Sequence, residues 1–98
     1  MEKLAELNKL EKLLREGGYN VSRYDEAGRI WNRHQVLVKD DKGERMFDAI
    51  CQNGSYGYKD GLLEIMNGTL TLTKDGEDGE VEGWLTADEI IKRLKEVG

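Results

Sequence analysis

Two side chains in this sequence have the types that catalysis uses, one of each: the imidazole of His34 and the thiol of Cys51. Nucleophilic chemistry would need them side by side, with the imidazole drawing the thiol proton. The segment Lys39 to Glu44, rich in Asp and Gly between two strand-like runs, reads as the hairpin that would bring them near one another. A pairing centred between Asp41 and Lys42 sets His34 opposite Ala49, two residues short of Cys51. The plainer expectation is a buried small thiol and a surface imidazole.

Metal chemistry has less to work with. One histidine, one cysteine and no Cys-x-x-Cys or His-Glu-x-x-His spacing offer no ligand set. The acidic run Asp75-Gly76-Glu77-Asp78-Gly79-Glu80 places Gly79 where a calcium loop needs an oxygen ligand, and no glutamate closes it. No Gly-Lys-Ser/Thr follows the glycines around Tyr56, so a phosphate loop is not encoded. The expectation is a protein without metal or cofactor that is not an enzyme.

Recognition is better supplied, because aromatics and arginine combine large contact area with a polar handle. One cluster is Tyr24, Arg29, Trp31, Arg33 and His34; the other is Tyr56 and Tyr58 with Lys59 and Asp60. The second lies in Asn53 to Met66, where glycines 54, 57 and 61 allow a tight loop to present its rings. For the two tyrosines, packing back to close the loop is the competing expectation, and Trp84, between Gly83 and Leu85, is expected in the core. The net charge of −5 divides unevenly, +1 over residues 1–59 and −6 over 60–98. Such an acidic half repels phosphate and favours a protein partner with a basic surface. Asp75, Glu77, Asp78, Glu80 and Glu82 are then candidates to stand in for phosphates, or else a solvated acidic turn.

These groups must be held by a chain of 98 residues, enough for one domain, 1–98, with a single core. Leucines 4, 7, 10 and 14 with Leu13 make an amphipathic helix over Glu2 to Glu16, carrying Glu6–Lys9 and Glu11–Arg15 pairs and stopped by Gly17-Gly18. Strands follow at Tyr19 to Tyr24, then after an Asp25-Glu26-Ala27-Gly28 turn at Arg29 to Lys39, and at Arg45 to Gln52. Apolar residues on both faces mark the last of these as central, although Asp48 sits on one. Further strands are expected at Leu62 to Met66 and, across an Asn67-Gly68 hairpin, at Thr69 to Thr73. The last strand is Glu80 to Leu85. Thr86 and Glu89 form a capping box with a Leu85–Ile90 staple, opening a helix that buries Ile90, Ile91, Leu94 and Val97. The order predicts a two-layer α+β fold: N-terminal helix, antiparallel sheet of about five or six short strands, C-terminal helix. No apolar run approaches the ~18 residues of a membrane span, the N-terminus lacks a signal-peptide core, and the lone cysteine suits a reducing cytoplasm.

The stretches GSYGYKDGLLEIMNG and VEGWLTADEIIKRLKE, together about the second half of the chain, resemble a group of small uncharacterised phage and mobile-element proteins of Firmicutes. The resemblance implies an origin and no activity. With it, three function classes stand open. The first is a cytoplasmic protein-binding module, including an inhibitor of bacterial defence such as an anti-CRISPR protein. The second is a nucleic-acid binder using the Arg29 to Lys39 strand with Trp31 as a stacking platform. The third is a homodimer formed along an exposed strand or through the leucine face.

Overall fold

The computed structural model describes residues 3–28, 32–74 and 80–97. Helix α1 (Ala5–Glu16) precedes strands β1 (Asn20–Ala27), β2 (Asn32–Lys39), β3 (Arg45–Ile50), β4 (Leu63–Asn67) and β5 (Val81–Leu85), and helix α2 (Ala87–Val97) closes the fold. The five strands form one antiparallel sheet in chain order, β1-β2-β3-β4-β5. Both helices cover one face of it. Leu7, Leu10 and Leu14 of α1 and Ile90 and Leu94 of α2 meet Val21, Val36, Val38, Phe47, Ala49, Leu63, Ile65 and Leu85 in a single core. Leu7, Leu10 and Leu14 are thus spent inside the molecule, whereas Leu4 and Leu13 are half-buried.

Both helix ends follow from local chemistry. Gly18, just past α1, takes φ 84°, a left-handed conformation that costs glycine nothing. At α2 the Glu89 N–H donates to Thr86 Oγ1 (3.2 Å) and the Thr86 N–H to Glu89 Oε1 (3.1 Å), the reciprocal box expected. Leu85 and Ile90 beside it are buried. The Glu11–Arg15 pair forms at 3.0 Å, but Glu6 and Lys9 do not pair with each other. Lys9 reaches Asp88 (2.9 Å) and Glu6 accepts the Ala87 N–H (2.8 Å), so both tie α1 to the start of α2. Val97, expected in the core, is half exposed, because the last turn of α2 runs past the sheet.

Three strand expectations change. β1 continues through Asp25, Glu26 and Ala27, which pair with His34, Arg33 and Asn32 rather than turning. The β2–β3 register lies two residues from the expected one, because the hairpin is centred on Lys42 and a bulge between Val38 and Lys39 adds one more, so that Gln35 faces Ile50 and the Cys51 N–H donates to the His34 carbonyl at 3.0 Å. Thr69 to Thr73 is not a strand, and Asn67-Gly68 is not a hairpin turn. Asn67 is buried instead, and its side-chain carbonyl accepts the N–H groups of Leu72 (2.8 Å) and Thr73 (3.2 Å) while its amide donates to Thr73 Oγ1 (2.8 Å). One satisfied Asn outweighs the leucine–threonine alternation by curling that segment under itself, and β5 takes the place beside β4.

Asp48, the acid on the central strand β3, is accounted for on the uncovered face. It accepts from Gln35 Nε2 (2.6 Å) and Arg45 Nη1 (3.1 Å), and Arg33 joins the chain by donating to Gln35 Oε1 (2.6 Å). A nearly buried carboxylate held by charge-assisted bonds escapes the penalty of an unpaired one.

Candidate functional site: an aromatic cleft against a strained strand

The loop after β3 is wound by its own main chain. Ser55 Oγ donates to the Gln52 carbonyl (2.7 Å) and accepts the Gln52 N–H (3.0 Å), and a single 3₁₀ turn, Tyr58–Asp60, carries the chain back to β4. Gly54, Gly57 and Gly61 all hold positive φ, as the sequence led one to expect. Gly57 has a second reason to be glycine: a Cβ there would lie 3.0 Å from both Leu62 Cβ and the Trp84 nitrogen. Across the contact, a Cβ on Gly83 would lie 2.2 Å from Tyr56 Cβ. The loop therefore presses directly on the backbone of β5, where the Trp84 N–H donates to the Tyr56 carbonyl (3.3 Å).

That docking imposes an unusual conformation. Trp84 has φ 57°, the one positive φ at a non-glycine among the described residues, next to a register break between β4 and β5. An L-residue in this region gives up about 1–2 kcal/mol. The indole is also 57 % exposed, and it stacks on Tyr56, itself 53 % exposed, with ring centroids 5.3 Å apart and planes 24° from parallel. Trp84 was expected in the core; it stands outside because Leu85 takes the inward position and the bulge turns its neighbour out. Strand alternation around Leu85 was the signal in the sequence that could have placed it there.

Beside the pair opens a cleft of about 480 Å³. Tyr58 lines it but packs back against the core, accepting from Asn32 Nδ2 (3.2 Å) at its hydroxyl, while Lys3 Nζ sits 4.6 Å from its ring centre. The two tyrosines thus divide between the two expectations: Tyr58 closes the loop and Tyr56 is displayed. Lys59 and Asp60, both exposed, complete the rim. With Lys3 the cleft carries two cations against one carboxylate, inside a chain of net charge −5.

The other candidates lie elsewhere. Arg33 sits on the uncovered face of β2, its guanidinium 4.5 Å from the Tyr24 ring centre and bonded to Glu26 and Gln35, so it does not join the aromatic cleft. His34 points to the opposite face, where Nδ1 is 2.8 Å from Asp25 Oδ1; that contact, then Arg23, holds the Asp25 carboxyl below its usual range. The Tyr24–His34 cluster is therefore split across the sheet. Trp31, Arg29, Asp75, Glu77 and Asp78 lie outside the described residues. Glu80 is half-buried with its carbonyl accepting the Asn67 N–H (3.1 Å). Glu82 is no phosphate mimic, because Arg93 grips both its oxygens at 2.8 Å and lowers its pKa.

The register shift does set His34 opposite Cys51, but their bonds lead apart. The Cys51 thiol, fully buried, donates to the Lys3 carbonyl (3.5 Å), and burial pushes its pKa up. A thiol so placed stays in the protonated form, which does not attack. Among the described residues no three of His, Cys, Asp or Glu gather as a metal site, and no helix is long and apolar enough to cross a membrane.

Comparison of the chain with protein-family models, with curated proteins and with solved structures returns no match.

Proposed function

We propose that this chain is a non-enzymatic, cytoplasmic protein-binding module whose contact centre is the Tyr56–Trp84 pair. The observation that carries the reading is two stacked, half-exposed aromatics displayed on a backbone strained where the 53–61 loop docks on β5. A fold gains little by holding a Trp at positive φ to leave it in water; strain of this kind collects at functional positions. Exposed Tyr and Trp are the side chains that most often anchor interfaces.

The rim refines the partner. Glu82, Asp88 and Glu89 of the acidic half are occupied by Arg93, Lys9 and the α2 cap, whereas the cleft offers Lys3 and Lys59. An apolar segment flanked by acidic side chains suits it better than the basic surface that the bulk charge suggests. The phage or mobile-element origin implied by the resemblance makes an inhibitor of bacterial defence, such as an anti-CRISPR protein, the specific form of this proposal.

Affinity capture from a Firmicute lysate, with and without nuclease, tests it. One dominant protein retained after nuclease and lost with both Tyr56→Ala and Gly83→Ala supports the reading; Gly83→Ala leaves the rings intact but drives the loop off β5. Retention undiminished in both variants, or a catch that vanishes with nuclease, refutes it.

A further inference from the structure

The sheet ends at β1, and nothing among the described residues pairs with its outer side. The strand runs eight residues with an unbroken register against β2 and contains no Lys, Pro or bulge; its charged residues are Arg23, Asp25 and Glu26, of which Arg23 also bonds Glu11 of α1. The opposite edge is different: β5 has five residues and is bent by Trp84. The His34 carbonyl is bonded to the Cys51 N–H, so the main chain of His34 faces β3. Its cross-strand neighbour Asp25 therefore turns its own N–H and C=O away from β2, and by the two-residue period so do Val21, Arg23 and Ala27.

We propose that a second copy of this chain adds its β1 antiparallel to this edge, with Tyr24 opposite Tyr24, joining the two sheets into one. The two-fold axis keeps both helix layers on the same side, which requires odd residues opposite odd and even opposite even. Centring on Arg23 sets Arg23 against Arg23, and centring on Asp25 sets Asp25 against Asp25; like charges directly opposed are destabilising. Centring on Tyr24 sets Arg23 against Asp25 twice and gives each pair two main-chain hydrogen bonds. Asp25 is half exposed and already 3.0 Å from Arg23 of its own strand, so the four charges alternate in sign. On the uncovered face the two Tyr24 rings meet, each with an Arg33 guanidinium over it. The surface is separate from the aromatic cleft on β5, and either can fail alone.

Cysteine cross-linking reads the register. In this arrangement residue 24 is the position opposite itself, in a non-hydrogen-bonded pair whose Cα separation of about 4.5 Å admits a disulfide. Tyr24→Cys should then oxidise to a covalent dimer about tenfold faster than Ser22→Cys or Glu26→Cys, through effective concentration. Buried Cys51 leaves the wild type as an unreactive control. Without any substitution, sedimentation should show mass rising from 11.2 kDa towards twice that value with concentration. Asp25→Pro deletes an outward N–H that the monomer does not use and should return the protein to monomer, while Asp25→Asn, which keeps that N–H and loses only the charge opposite Arg23, should weaken the dimer less. A wild type that stays monomeric to millimolar concentration, or equal cross-linking at 22, 24 and 26, overturns the proposal.

Discussion

Trp84 and Asn67 show how single residues redirect this chain. At φ 57° the Trp84 backbone lies where glycine is at ease and tryptophan is not. Trp84→Gly should therefore be more stable than Trp84→Ala by about 1 kcal/mol in urea unfolding, although both lose the stack on Tyr56. Equal stability of the two variants would show that φ 57° costs nothing here. Asn67 works the other way, by satisfying groups in the interior. Asn67→Ala leaves the Leu72 and Thr73 N–H groups without their acceptor and should cost about 2–3 kcal/mol. Asn67→Asp keeps the acceptor and should cost less, a difference readable from the two urea midpoints.

At the scale of elements, one ion pair among the described residues joins the C-terminal helix to the sheet, Glu82 on β5 with Arg93 on α2, and Arg93 also donates to the Leu72 carbonyl (3.1 Å). The Arg93 hydrogen bond is the main cause of the lowered Glu82 pKa. A carboxylate whose pKa falls on folding stabilises the native state above its unfolded pKa, near 4.5. That contribution is lost as pH drops through the lower folded value. Glu82→Gln should thus flatten the pH dependence of stability below about pH 4.5 and lower stability at pH 7. Thermal melts from pH 7 to pH 3 measure both, and parallel curves for the two proteins would remove the ion pair from the account. The capping box at the same helix was legible as Thr86-Ala-Asp-Glu89, because its two bonds join residues three apart.

For the whole molecule, the two helices and the sheet close over one core in which Cys51 is fully buried. A thiol there is reached when the sheet opens, so its labelling reports on the complete fold. Alkylation of the native protein should be slower than that of a denatured control by several orders of magnitude and should rise in step with unfolding in denaturant. Rapid labelling without denaturant would mean that the end of β3 opens locally. The mixed charge of the surface also has a division of labour: acids of the second half fasten helices, and the lysines of the cleft rim remain exposed.

The sequence alone determined what short-range physics controls. The leucine spacing of α1, the cap of α2 and the left-handed glycines of the 53–61 loop depend on neighbours within a few residues, and all stand as read; the central place of β3 showed only in its having apolar residues on both faces. Half of the aromatic site was legible too, since Tyr56 lies between two glycines. What the sequence left open was decided at a distance. The strained backbone of Trp84 depends on a loop some thirty residues earlier in the chain pressing on Gly83. The fate of Thr69 to Thr73 depends on a buried Asn side chain, and the pairing of His34 with Cys51 on the hairpin centre at Lys42 together with one bulge. Alternation and turn signals register what a segment prefers by itself; only the closed core fixes which preference gives way, because there each buried N–H and each ring must find its partner or reach water.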